Sequence, residues 1–277
     1  MKRLQAIVLI LLVTVVWGLT FPIQKIVIGN ANPFFYNACR FAVATVLSMV
    51  VFRKKSNWKH GLILGFFLAI SYATQTSGLK ITSSTKSGFI TSLYIPLVPL
   101  FSYFIERSRP TILQLAAFVS SILGLYLLND PSHDPFNFGD FLTLICAVGF
   151  AIHVVLITHY TKNNDDEISL LVPQLFLTSV LNFLFTPIGG KPLGVSFGFV
   201  VVLVFTAIAA TVFAVWVQLK YQKHVGSNTA ALIYVGEPVF AAIFSAVILA
   251  ERFSTSQLAG MAVLILSMIG GSVRLQK

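Results

Sequence analysis

The sequence predicts an all-α membrane protein of ten transmembrane helices, arranged as two five-helix repeats of inverted topology. The chain of 277 residues is 56% hydrophobic and only 10% charged, whereas a soluble domain carries roughly 25% charged residues. Its apolar runs last about 18–25 residues and do not alternate, which favours membrane helices over the strands of a barrel. Parts of the first half of the chain also recur in the second half.

The first predicted helix covers residues 4–28 and follows Met1-Lys2-Arg3. Because its apolar run continues past Trp17 and no A-x-A cleavage site follows, we interpret it as a retained helix and not as a signal peptide. The connections between runs are short and rich in Pro, Gly, Asn and Asp, so none can hold a soluble domain. The other predicted helices cover residues 34–52, 59–79, 85–105, 111–128, 139–160, 168–186, 196–220, 229–250 and 256–273.

Three short segments of the first half have counterparts in the second half, two at an offset of 143 positions and one at 145. The pairs are 83–90 with 226–233, 114–116 with 257–259, and Glu106-Arg107 with Glu251-Arg252. We predict a first repeat over residues 1–130 and a second over residues 136–277. Because five helices is an odd number, the second repeat enters the membrane upside down, an arrangement typical of alternating-access transporters. The alternative is chance similarity among helices rich in Leu and Ala.

The basic residues predict the orientation in the membrane. An even number of helices puts both termini on one side, and 13 of the 19 Lys and Arg residues fall on that side. Since cytoplasmic loops carry the excess of basic residues, we expect both termini in the cytoplasm and the Asp130–Pro135 loop outside.

The sequence argues against catalysis and against nucleic-acid binding. The net charge of +10 is distributed over short caps between apolar runs, as in membrane-protein loops. Cys39 and Cys146 lie inside apolar runs and are interpreted as core residues. The chain has no Walker loop and no H-E-x-x-H motif, and its G-x-S-x-G match at residues 194–198 caps a predicted membrane helix. We therefore expect no enzyme, no cofactor and no metal.

A set of loose motifs, in their order and spacing, resembles one known family. The motifs are Trp17-Gly18-Leu19-Thr20-Phe21, Arg40-Phe41, Gln75–Leu79, Lys86–Tyr94, Ala230–Ile233, Glu237-Pro238 and Glu251-Arg252. Across essentially its whole length the chain resembles the EamA-type branch of the drug/metabolite transporter superfamily. One departure is the segment Gly149–His153, where many members carry a Trp-containing echo of the first helix.

The resemblance implies a ten-helix fold in the inner membrane and the export or uptake of amino acids or other small metabolites. We therefore expect a secondary active transporter of a small polar metabolite, with an amino acid as one candidate and alternating access as its mechanism. Its expected partners are the small-molecule substrate and the lipid bilayer, with protons as a candidate coupling ion. The alternatives are a multidrug efflux carrier and a membrane enzyme or assembly subunit without transport. The direction of transport and the oligomeric state are left open.

Glu237 and Tyr94 are the leading candidates for the substrate site. At the 143-residue offset they are equivalent positions, each about ten residues, or roughly 15 Å, into its helix, which is half of a hydrocarbon core of about 30 Å. Pro96 and Pro238 lie close by and can bend the helices, which frees backbone carbonyls. A carboxylate there can bind and release a proton or hold a substrate ammonium. The alternative is that Glu237 only satisfies backbone groups at the Pro238 kink.

Three further ionisable residues are candidates, because such a group at the bilayer centre costs about 2.5–3.5 kcal/mol and usually faces a cavity or a partner. Arg40 could bind an anionic substrate group, or it could bond helix-end carbonyls. Lys86 could face the site or snorkel to the interface. His153 could relay protons, or it could be a hydrogen-bonded packing histidine.

Polar and aromatic residues complete the candidate substrate-binding set. Trp17 and Tyr234 each carry a polar group far from the interface and either line a cavity or pack in the core. Thr20 and Gln75 are polar residues inside apolar runs. From the distribution of such residues we predict that helices 1–4 and 6–9 surround the cavity, while helices 5 and 10 lie outside it.

Overall fold

The computed structural model describes residues 2–129, 135–162, 166–190 and 195–272. In these ranges the chain is helical, without strands, and forms ten helical spans, which confirms the predicted fold class. The spans are α1 (Lys2–Ile28), α2 (Pro33–Phe52), α3 (Trp58–Ile81), α4 (Ser84–Glu106), α5 (Ile112–Asn129), α6 (Phe138–Lys162), α7 (Glu167–Gly189), α8 (Phe197–His224), α9 (Ser227–Leu249) and α10 (Thr255–Ser272).

Nine of the ten described spans are long and apolar enough to cross a membrane, and α5 is a shorter apolar helix. The predicted external loop Asp130–Pro135 lies outside the described residues except for Pro135. The same holds for Gly194, the first residue of the G-x-S-x-G match, while Ser196 caps α8 by accepting a hydrogen bond from the backbone of Phe199 at 3.1 Å.

Local signals in the sequence set the ends of the helices. Asn32 caps α2, with its side-chain oxygen accepting from two backbone amides at 3.0 and 3.1 Å, and Pro33 occupies the first turn, where its missing N–H is not needed. Arg107 and Ala250 terminate α4 and α9 in the left-handed conformation, each with a φ of 54°. These two caps lie 143 positions apart, so the backbone repeats with the offset found in the sequence.

Helices α4 and α9 are each interrupted near the middle. The pieces are Ser84–Thr91 and Tyr94–Glu106 in α4, and Ser227–Tyr234 and Gly236–Leu249 in α9. Pro96 and Pro238 stand in the first turn after each break, where a proline cannot donate the hydrogen bond that would continue the preceding piece. The interruptions therefore put irregular backbone at matching, central positions of the two repeats, which a membrane tolerates only where protein or a cavity surrounds it.

Helix α8 contains a π-helical segment, Ile208–Phe213. Within it, the Thr211 hydroxyl donates to the carbonyl of Thr206, five residues earlier, at 2.9 Å. The carbonyl of Ala210 accepts a hydrogen bond from Nε1 of Trp17 at 3.0 Å. Such π segments are frequent at functional sites, and this one joins α8 to α1.

Close approaches of small residues fix the packing of the helices. A Cβ placed on Gly65 of α3 would lie 2.8 Å from the Gln174 carbonyl of α7, so α3 and α7 touch through their backbones. In the same way, a Cβ on Gly124 of α5 would lie 3.0 Å from the Gly260 carbonyl of α10. Helices α5 and α10 therefore pack tightly against each other.

Candidate functional site

One cavity lies between the two repeats, and about 490 Å³ of empty space, open solvent included, lies within its outline. Its lining comes from α1, α3 and α4 of the first half and from α6, α8 and α9 of the second half. Six of the nine residues predicted to bind substrate line it: Trp17, Thr20, Gln75, Tyr94, His153 and Glu237.

Glu237 and Tyr94 meet at the two helix breaks. The Tyr94 hydroxyl donates to Oε2 of Glu237 at 3.2 Å, and the two residues are only 2% and 4% exposed, respectively. Each lies in the first turn of the second piece of its helix, where the helix dipole favours a negative charge. The contact predicted from the repeat is therefore present, and it puts a carboxyl group on the wall of the cavity. Among the described residues, Glu237 forms no salt bridge.

Aromatic rings form a large part of the wall. Tyr72, Phe150 and Tyr94 follow one another, with ring centroids 5.2 Å apart for the first pair and 6.2 Å for the second. Phe21 of α1 also lines the cavity. Phe21, Tyr72 and Phe150 were not among the predicted site residues, because nothing in the sequence distinguishes them from the other residues among 25 Phe and 8 Tyr. Gln218, one of the polar residues inside apolar runs on which the predicted cavity rests, lines it as well, and the remaining lining residues are Leu68, Val154 and Val215.

Tyr234 lies behind the wall and supports it, so its prediction as a lining residue is corrected. Its ring centroid is 5.4 Å from that of Trp17 and 6.2 Å from that of Tyr94. Its hydroxyl donates to Oε1 of Gln222 at 3.1 Å. A buried tyrosine needs such a hydrogen bond, and Gln222 is not a lining residue.

Arg40 does not line the cavity either. It is 1% exposed, its Nε donates to the Thr211 hydroxyl at 2.8 Å, and its Nη2 donates to the Ala210 carbonyl at 3.4 Å. Its guanidinium lies 4.6 Å from the centroid of the Tyr72 ring. Tyr72 is the residue that lines the cavity, and Arg40 lies against its ring. The contacts favour the structural alternative that the sequence left open, because Arg40 fastens the π segment of α8 to α2.

Lys86 neither lines the cavity nor snorkels to an interface. Its Nζ lies 2.7 Å from Oδ2 of Asp140, with side-chain exposures of 4% and 0%. It also donates to the Pro135 carbonyl at 2.8 Å. A buried lysine is stable when it is paired and hydrogen-bonded, and Lys86 therefore ties the start of α4 to the start of α6.

His153 lines the cavity but is held by a neighbour. Its Nε2 lies 3.0 Å from Oε1 of Gln174. Because the Gln174 amide nitrogen donates to the Leu170 carbonyl at 3.0 Å, its oxygen must accept, and we assign the proton to Nε2 of His153. The hydrogen-bonded packing role foreseen as an alternative is thus present together with the position on the wall.

The predicted arrangement of helices is right for α5 and α10 and wrong for α2 and α7. Among the described residues, none of these four helices contributes to the lining. Helix α2 lies behind α3, with Nδ2 of Asn37 donating to the Tyr72 carbonyl at 2.8 Å. Helix α7 lies behind α3 and α6 through Gly65 and the Gln174–His153 contact. Their polar residues are used for packing between helices, which sequence patterns cannot distinguish from lining a cavity.

Two inverted repeats around a shared internal cavity define a class of protein, the multi-pass membrane transporters. Within this class, the chain belongs to the EamA-like transporter family, whose profile matches residues 4–130 and 137–272. This finding confirms the resemblance derived from the motifs. It also identifies the protein as a transporter and not an enzyme.

Relatives and a solved structure agree with this assignment. An uncharacterized transporter of Archaeoglobus fulgidus is 32% identical over 273 residues, which cover 99% of this chain and 87% of that protein. A WAT1-related chloroplast protein of Arabidopsis thaliana is 26% identical over 271 residues, covering 89% of this chain and 64% of its own length. A solved crystal structure superposes with a TM-score of 0.76 over 97% of this chain and 96% of its own, at 18% identity. That likeness bears on the fold alone.

Proposed function

We propose that this protein is a secondary active transporter that moves a small polar metabolite across the inner membrane by alternating access. The observation that carries the proposal is the cavity between the repeats, with Glu237 and Tyr94 on its wall. Both termini are placed in the cytoplasm on the basis of the basic residues. The two moving units are taken as residues 1–130 and 136–277, and the two family matches at 4–130 and 137–272 support this division.

Contacts between α4 and α9 join the two repeats at both ends of these helices, which supports a proposal of alternating access. At one end, a Glu106 carboxylate oxygen accepts a short hydrogen bond from the Ser227 hydroxyl. At the other end, Glu251 accepts hydrogen bonds from the hydroxyls of Ser84, at 3.2 Å, and Thr85. In each case a carboxylate near the end of one broken helix holds hydroxyls at the start of the other. We name these contacts the Glu106 latch and the Glu251 latch.

A hydrogen bond from a further serine reinforces each latch. The Ser102 hydroxyl donates to Oδ1 of Asn228 at 3.0 Å beside the Glu106 latch. The hydroxyls of Ser84 and Ser245 lie 2.6 Å apart beside the Glu251 latch. Ser102 and Ser245 are 143 positions apart, so the two ends are built on the same plan. A transporter that opens one end at a time needs two such separable closures.

Glu237 is the residue proposed to couple transport to an ion or to hold the substrate. Its carboxyl group is withdrawn from bulk water and bonded only to a neutral Tyr94 hydroxyl in the described part of the chain. It can therefore bind a proton when the site is empty and give it up when a cation enters. Protons are the proposed coupling ion on this ground, and the ammonium group of a substrate, such as the amino acid that the resemblance implies as one candidate, could occupy the same place.

A transport assay tests the proposal. The purified protein is reconstituted in liposomes with a panel of labelled amino acids, amines and other small metabolites, with and without a proton gradient. Glu237→Gln should abolish gradient-driven uptake, while Glu167→Gln, which removes a partly exposed carboxylate that faces Lys223 at 3.3 Å, should leave it unchanged. If Glu237→Gln folds and keeps the wild-type rate and pH dependence, Glu237 is a structural residue of the Pro238 kink and the assignment fails.

A further inference from the structure

We infer that the substrate of this cavity is a monovalent organic cation, an amine or quaternary ammonium with an apolar body and no carboxylate group. The inference rests on the proposed transport function and names the class of substrate for the same site. It excludes the zwitterionic amino acids that the family resemblance left as candidates. Three properties of the cavity wall carry it: its charge, its aromatic surface and its shortage of cationic groups.

The first property is an unbalanced acid. Glu237 is the one carboxylate among the lining residues, and in the described part of the chain it has no cationic partner. A buried charge without a partner is costly, and it is normally compensated by an opposite charge or by a proton. A substrate cation would supply the opposite charge, so that an ion pair forms only in the loaded state.

The second property is a set of aromatic side chains in the same lining as that carboxylate. Trp17, Phe21, Tyr72, Tyr94 and Phe150 all line the cavity. Ring faces carry negative potential and attract ammonium groups, and they do so more strongly where water is excluded. The same rings offer apolar surface to the body of the substrate. Aromatic faces together with one carboxylate match an organic cation in both charge and polarity.

The third property is that the cationic groups of the interior are already engaged elsewhere. No Lys or Arg of the described residues lines the cavity. Arg40 lies behind the Tyr72 ring, bonded to the π segment, with only its Nη1 lacking a hydrogen-bond partner. Lys86 is paired with Asp140 at 2.7 Å. A substrate carboxylate would therefore find no charged partner on the wall.

The polar groups of the wall do not replace such a partner. The protonated Nε2 of His153 is directed to Gln174, so a neutral ring presents an acceptor, Nδ1, as its other nitrogen. The Gln75 amide donates to the Thr91 hydroxyl at 3.2 Å, and the Trp17 N–H donates to the Ala210 carbonyl. Donors that could stabilise a carboxylate are thus largely occupied by the protein itself, and Glu237 would repel one.

A matched series of compounds tests the inference. Binding of phenethylamine, phenylalanine and 3-phenylpropionate to the full-length protein in detergent is measured by titration calorimetry; the three share a phenyl group and differ in charge. We expect phenethylamine to bind at least about 10-fold more tightly than phenylalanine, because a buried and unpaired carboxylate costs more than about 1.4 kcal/mol, and 3-phenylpropionate to bind least.

Variants assign the selectivity to the wall. Glu237→Gln should remove the preference for phenethylamine, and Glu167→Gln should leave it intact. Should Glu237→Gln fail to fold, Trp17→Leu provides a second variant: it should weaken phenethylamine binding about 3- to 30-fold, whereas Trp17→Phe, which keeps a ring, should retain most of it.

The outcomes separate this inference from the transport proposal. Equal or tighter binding of phenylalanine, no measurable binding of phenethylamine, or a preference unchanged in Glu237→Gln would each overturn the inference. If liposomes take up zwitterions and no amines, the protein is a carrier but the assigned substrate class is wrong. If amines bind with the expected preference and are not carried, the substrate class stands and the transport proposal fails.

Discussion

The two latches should act as opposing controls on the conformation. Ser227→Ala removes the hydroxyl that the Glu106 carboxylate accepts from, and Ser84→Ala removes one of the two that Glu251 accepts from. The first substitution weakens closure at the proposed cytoplasmic end, and the second weakens closure at the proposed outer end. We therefore expect Ser227→Ala to favour the inward-open state and Ser84→Ala to favour the outward-open state.

The size of each effect follows from the bonds that are lost. A hydrogen bond to a charged group contributes about 1.5–3 kcal/mol, which corresponds to a roughly 10- to 150-fold change in the ratio of closed to open forms. Ser84→Ala leaves the Thr85 contact with Glu251, and Ser227→Ala leaves Lys162 at 3.1 Å from Glu106. Both effects should therefore lie near the lower limit.

Distances between spin labels measure the two populations separately. Labels at Arg109 and His224 report on the proposed cytoplasmic end, and labels at Ile81 and Arg252 report on the outer end. All are introduced in full-length protein without the two native cysteines and reconstituted in lipid. Ser227→Ala should lengthen only the first distance, and Ser84→Ala should lengthen only the second.

Each variant serves as the control for the other, since both replace a serine hydroxyl by hydrogen. An equal shift at both ends in one variant would mean that the substitution loosens the fold and does not release a latch. Unchanged distances in both variants would show that the latches do not hold the ends closed. Either result refutes the assignment.

Three further predictions concern stability and topology. Lys86→Met leaves Asp140 buried without its lysine and should lower stability by roughly 3–5 kcal/mol, and the double variant with Asp140→Asn should recover part of the loss in unfolding experiments in detergent. Arg40→Lys gives up the planar fork that spans the π segment and should lower the stability by about 1–3 kcal/mol, measured as a fall in the melting temperature. In intact cells, a cysteine at the exposed position Asn30 should react with an impermeant reagent, whereas one at the exposed position Lys55 should be protected; the reverse pattern would invert the proposed orientation.

The sequence predicted the parts of the structure that depend on periodic or repeated signals. Long apolar runs gave the ten helices, because hydrocarbon leaves few other ways to satisfy a backbone. The 143-residue offset pairs Tyr94 with Glu237, since residues at equivalent depths of two inverted repeats are expected to meet at the midplane. In the structure the two side chains are in contact, and the Tyr94 hydroxyl donates to Oε2 of Glu237 at 3.2 Å.

The remaining features depend on interactions between helices that a single sequence does not encode visibly. The π segment of α8 has an ordinary apolar sequence, and it is defined by its partners Trp17 and Arg40 on other helices. The position of Lys86 at the start of α4 is typical of an interfacial lysine. In the structure, Asp140 at the start of α6 places its Oδ2 at 2.7 Å from the Lys86 Nζ. Arg40 and Lys86 are recognisable in the sequence as polar residues in apolar runs. Their partners, the π segment and Asp140, lie too far along the chain to be inferred from it.

The repeats give the protein a symmetric frame, and the chemistry of the site comes from breaking that symmetry at one position. Identical repeats with glutamate at both central positions would bring two carboxyl groups to hydrogen-bonding distance, where both cannot be ionised together. Tyrosine at position 94 avoids that repulsion and donates to Oε2 of Glu237. The pair thus leaves one carboxyl group between the central breaks of α4 and α9, at a place that the backbone of either repeat could reach. One charge at the centre of a two-fold frame can be approached from either end of the protein, which is what a carrier with two latches requires.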